Sequence, residues 1–216
     1  MDIFSACLAF GPLGIYLLLL GVINFSRRPV VISGTRETLA VGLALSGLVM
    51  IGPMQLFMPQ EAAARFGEWI WLLLVSFYIL SLLLLIMLSR PRLVVYNMTA
   101  EQLQPVLAET AERLDHDARW AGNSLSMPQI RVHLQIDAFA PLATVALRSA
   151  SDDQSASGWS RLEASLRQSL LQAPAPPKRH GFGLAWCGFL ILLLLAIWVA
   201  DDPEAVARGL ARMLQP

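Results

Sequence analysis

The sequence predicts a membrane protein: an all-α bundle of four transmembrane helices with an inserted cytoplasmic α+β domain, in which two helices cover one face of a mostly antiparallel sheet. Three observations predict it. The 216-residue chain is 56% hydrophobic and 15% charged, whereas a soluble domain carries about 25% charged residues. Four stretches, about 3–25, 39–58, 69–88 and 182–200, contain no Asp, Glu, Lys, Arg or His, and each matches the roughly 20 residues a helix needs to cross a hydrocarbon core. Between the third and fourth, the apolar residues turn periodic, which signals a folded soluble segment.

The domains follow from these boundaries: residues 1–89 with three spans, 90–173 as the α+β domain, 174–181 as a proline-rich basic tether, 182–200 as the fourth span, and 201–216 as a tail helix. The first span is longer than a signal-peptide core and lacks a basic region before it, so it reads as a retained anchor.

Orientation follows from basic residues, which resist translocation. Arg27, Arg28 and Arg36 fill the first loop, Arg90 and Arg92 follow the third span, and Lys178 and Arg179 precede the fourth. All seven fall on one side, against Arg65 in the opposite loop and Arg208 and Arg212 in a tail that also carries Asp201, Asp202 and Glu204. The reading is a bacterial-type inner membrane, both termini outside, and residues 90–180 cytoplasmic. Trp69, Trp71 and Trp198 then sit at outer span ends, where indoles favour the headgroup zone. Cys7 and Cys187 fall in opposite leaflets, too far apart to form a disulfide.

Helices in lipid associate where small residues let backbones approach. Gly11, Gly14 and Gly21 in the first span, Ala40, Ala44 and Gly47 in the second, and Gly181, Ala185 and Gly188 around the fourth are the candidate packing positions. Spans one, two and four are expected to form the tight contact, with span three more exposed. Pro12 and Gly52-Pro53 are expected to bend their helices, near Gln55.

Within the soluble segment, Leu93 to Tyr96 reads as a buried strand. Leu103, Leu107, Ala111 and Leu114 form the stripe of an amphipathic helix, started by Thr99 and Gln102 at capping-box spacing and disturbed by Pro105. Gly122-Asn123 marks a tight turn between short strands. Ile130 to Asp137 alternates apolar and polar residues, as does the run Ala143, Val145, Leu147, so these form a second hairpin with one wet face. After SASDDQSASG, a helix buries Trp159, Leu162, Leu166 and Leu170. The tail begins Asp202-Pro203, an N-cap followed by proline in the first turn, and Val206, Leu210, Met213 and Leu214 share a face that would lie on the membrane surface.

Asn97-Met98-Thr99 fits the N-glycosylation pattern, but its side of the membrane and its place between strand and helix mark it as a chance match. His116, flanked by Asp115 and Asp117, and His133, on the wet strand face, are the two ligand candidates. His116 reads as a solvated turn. Arg27, Arg28, Arg90, Arg92, Lys178 and Arg179 are candidate membrane-surface contacts.

Function classes narrow by exclusion. Sixteen basic and sixteen acidic side chains cancel, leaving no field to attract nucleic acid. Paired CxxC, HExxH, GxSxG and P-loop patterns are all missing, so no cofactor or metal is expected. The spans lack the ionisable groups that pumps and intramembrane enzymes need. The chain is therefore read as a non-enzymatic docking, assembly or sensing protein acting through its cytoplasmic domain. Its partners are the lipid bilayer and a protein or a second copy. The alternative is an accessory subunit of a transporter or a small homo-oligomeric channel.

Overall fold

A computed structural model describes residues 3–26, 28–54, 69–139, 144–151, 154–172 and 181–214. They divide into two units: residues 1–20, 38–88 and 183–216 form one, and residues 21–37 and 89–182 form the other.

The first unit is helical. Helix α1 is Ile3–Phe25, α2 is Gly34–Val49, α3 is Trp69–Leu88, α6 is Gly181–Asp201 and α7 is Pro203–Leu214; residues 21–25 of α1 and 34–37 of α2, with α4 and α5, belong to the other unit. Four of these helices, α1, α2, α3 and α6, are long and apolar enough to cross a membrane. Three match the expected spans closely, but α2 begins five residues earlier than the apolar run, at Gly34, and continues past Val49 as a π-helical turn, Met50–Met54. The early start takes in Arg36 and Glu37, and the π turn contains Gly52-Pro53, where the missing proline N–H favours an irregular ladder.

Small residues set how these helices meet. A Cβ built on Gly47 would lie 1.8 Å from the Leu8 carbonyl oxygen of α1, and one on Gly188 of α6 would lie 2.5 Å from the Leu18 nitrogen and 2.8 Å from the Gly14 oxygen. Glycine is required at both points because backbone meets backbone. Ala44 is buried, as is Gly21, while Ala40 and Ala185 are half-buried. Gly11 has nothing within 4 Å of its would-be Cβ, so no close approach there requires glycine. Helix α3 is among the more exposed of the four, as expected, and it meets α2 at Gly42, which receives Leu82, with a would-be Cβ 2.7 Å from its methyls, and the Tyr78 hydroxyl donates to the Gly42 carbonyl at 2.7 Å. Burial ranks the helices differently from the small-residue pattern. In the most apolar 18 residues of each helix, 22% of the residues of α1 and of α2 are buried, against 6% of those of α3 and of α6.

The second unit is a six-stranded antiparallel sheet in the order β1-β2-β6-β5-β4-β3, formed by β1 Val30–Ser33, β2 Arg92–Tyr96, β3 Arg119–Ala121, β4 Ser124–Met127, β5 Val132–Phe139 and β6 Thr144–Ser149, with helices α4 Ala100–Leu114 and α5 Ala156–Gln172. Strand β1 lies in the arginine-bearing first loop, where the sequence predicts no strand. It pairs with β2, Val31 opposite Val95 and Ile32 opposite Val94. The clearest predicted strand starts two residues late, at Val132, because Arg131 takes a left-handed φ of 52° and closes a turn on Pro128. The expected tight turn has Gly122 at φ 60°.

The core lies on one sheet face. Val31, Val95, Val145 and Leu147 join Leu125, Leu134 and Ile136, and onto them pack Leu103, Leu107 and Ala111 of α4 and Trp159, Leu162, Leu166 and Leu170 of α5. Each of the fully buried leucines contributes about 1.5–3 kcal/mol. Gly158 in the first turn of α5 allows this approach, since a Cβ there would sit 2.2 Å from the Ile130 carbonyl oxygen. The capping box at Thr99 closes, with the Gln102 side chain accepting from the Thr99 N–H at 3.2 Å.

Candidate functional site at the strand–helix junctions

Several polar side chains gather where β1 and β2 meet the ends of α1 and α2. Ser33 ends β1 and Gly34 begins α2, with no residue between. Glu37 lies in the first turn of α2, where a carboxylate is favoured by the unpaired N–H groups. Its two oxygens are both used: Arg92 approaches one at 3.0 Å, and the Tyr96 hydroxyl donates to the other at 2.9 Å. Arg92 reaches Glu37 by lying across Gly34, where a Cβ would stand 2.2 Å from the Arg92 Cγ. Any larger residue at 34 would displace the arginine.

A second tie joins β2 to the end of α1. Asn97 has φ 65° and is 3% exposed. Its side-chain amide donates to the carbonyls of Ser26 and Arg28, just past the last residue of α1. Asparagine tolerates the left-handed region better than most residues, and its amide satisfies two carbonyls of the segment between α1 and β1. The apparent glycosylation sequon is thus a buried structural residue.

A third network fixes the far side of the sheet. The Gln154 side chain mimics a neighbouring strand: its oxygen accepts from the His133 N–H at 3.1 Å and its nitrogen donates to the His133 carbonyl at 2.8 Å. The same oxygen accepts from the Trp159 indole at 2.9 Å, which ties α5 to β5.

The predicted site residues are only partly brought together. Arg92, a candidate membrane-surface contact, is ion-paired with Glu37 at the junction. Arg28 and Arg90 are exposed; Arg27, Lys178 and Arg179 fall outside the described residues, with Gln55, Arg65 and the tether at 174–180. Gly181 opens α6. His116 is exposed, its Nδ1 3.1 Å from the Glu112 carbonyl. His133 lies half-buried, its Nδ1 2.8 Å from the Ser126 hydroxyl, and the two histidines share no ligand cluster. Among the described residues no group of three His, Cys, Asp or Glu is placed to hold a metal. Cys7 and Cys187 are free thiols.

Two residues were missed by sequence reasoning. Asp115, taken as a flank of His116, is 1% exposed. Its carboxylate accepts from the N–H groups of Asp117 and Gln129, each at 2.8 Å, and so closes the turn after α4 onto the approach to β5. Glu37 carried a legible signal, an acidic residue at a helix start, that was lost because the helix was expected to begin later.

No family model, curated protein or solved structure matches this chain.

Proposed function

We propose that the chain is a multi-pass inner-membrane protein whose four apolar helices hold a cytoplasmic α+β module at the membrane surface, and that the module docks or assembles a protein partner and reports its presence to the helices. The observation that carries this is the paired junction. One sheet draws strands from the first interhelical loop and from the segment after α3, and Arg92, Tyr96 and Glu37 bind the module to the first turn of α2. A module meant only to hang from a tether needs no such strand. The sheet's own unit thereby includes the first turn of α2, residues 34–37, with no residue between β1 and α2.

The side assignment draws on charge. Pairing β1 with β2 brings the arginine-bearing loops on either side of α2 and α3 to one side, which supports reading that side as cytoplasmic under the positive-inside rule. The alternative, an accessory subunit of a transporter or channel, is favoured by the apolar flanks of α3, where Phe77, Leu80 and Leu84 are exposed.

Photo-crosslinking in native membranes separates the two. A photoreactive residue replacing the exposed Trp120 of β3 attaches to a partner protein if the module docks, and one at Leu84 attaches to it if α3 is the interface. Absence of any adduct from position 120, with an adduct from 84, overturns the docking reading.

A further inference from the structure

The helical unit contains a lateral groove of about 870 Å³ between α1 and α6, walled by Phe10 and Leu13 on one side and Ile191, Leu194 and Trp198 on the other, with Asp201 at its end. From these features we infer a binding site for one phospholipid with an amine headgroup, its acyl chain in the groove and its ammonium at Asp201. The inference rests on the proposal that α1 and α6 cross a bilayer.

Dimensions, chemistry and charge agree on this occupant. The volume lies within the roughly 300–1,000 Å³ range of small-molecule sites. Ten residues of helix separate Ile191 from Asp201, a rise of about 15 Å, which is half of the roughly 30 Å hydrocarbon core and so the depth of one leaflet. Trp198, one turn before the groove's polar end, has its indole where amphipathic rings meet headgroups. Asp201 is exposed and is the last residue of α6, where open carbonyls add partial negative charge. The neighbouring Asp202 is occupied by Arg208, at 2.9 and 3.2 Å, whereas Asp201 has no ion-pair partner among the described residues. A carboxylate on a helix C-terminus attracts an ammonium and repels an anionic headgroup, so the site discriminates by charge.

Native mass spectrometry of the full chain in detergent tests this, with phosphatidylethanolamine or phosphatidylglycerol of identical acyl chains as probes. The expected result is one saturable phosphatidylethanolamine, held about tenfold more tightly than phosphatidylglycerol. Asp201→Asn should abolish that preference while retaining a lipid. Leu194→Trp, at a position 66% exposed and so free of packing demands, should fill the groove and release the lipid, with helix content by circular dichroism unchanged. Equal retention of both lipids, no saturable lipid, or an unaltered preference in Asp201→Asn overturns the site. If the protein is instead missing from the membrane fraction of cells, the bilayer reading itself fails, which separates the two claims.

Discussion

The Arg92 guanidinium lies 3.0 Å from the Glu37 carboxylate, joining the first residue of β2 to the first turn of α2. Glu37 also accepts from Tyr96, so its removal breaks two contacts. With the two side chains 35% and 22% exposed, solvent weakens the pair without abolishing it. Glu37→Ala should destabilise the module by about 1–2 kcal/mol. Arg92→Ala should have a smaller effect, since Tyr96 keeps its acceptor. Thermal unfolding of the detergent-solubilised variants and their double mutant measures both effects and their coupling.

Asn97 makes a different demand, because its backbone and its side chain are both constrained. Asn97→Gly keeps the left-handed conformation and loses only the amide's hydrogen bonds, costing about 1 kcal/mol. Asn97→Ala adds the steric cost of that conformation, for a total of about 2–3 kcal/mol. Urea unfolding should rank wild type above glycine and glycine above alanine. An alanine variant as stable as the glycine variant contradicts the assigned φ.

The glycines of the bundle divide sharply although their spacing is alike. Gly47→Ala and Gly188→Ala push Cβ into backbone atoms and should each destabilise the helical unit by about 1–3 kcal/mol. Gly11→Ala, with open space around it, should be neutral or stabilising by up to about 1 kcal/mol, through the lower entropy of the unfolded chain. Melting temperatures in one detergent decide this.

That contrast shows how far sequence reasoning reaches. Apolar runs locate helices because length and composition alone govern bilayer crossing, and the α4 and α5 stripes and the β5 alternation locate the core because burial imposes a period. Spacing alone could not tell Gly11 from Gly14, since the difference lies in what the neighbouring helix presents. Strand β1 stayed hidden for a related reason. Four residues, VVIS, between arginines and a helix have too little length to show a period, and their partner strand lies beyond α2 and α3 in the chain. Asn97 was visible only as a sequon, because a local pattern does not disclose a positive φ or an acceptor at Ser26. The junction was therefore illegible as a site, although Glu37, Arg92 and Tyr96 were all in view.

The central claim is that the first interhelical loop and the segment after α3 form one module on the cytoplasmic side. Labelling with a membrane-impermeant maleimide tests it most directly, using single cysteines at the exposed positions Arg28 and Glu101 in a chain carrying Cys7→Ser and Cys187→Ser. Both cysteines should resist labelling in intact cells and react fully once the membrane is permeabilised. Labelling of either position from outside intact cells would contradict the account.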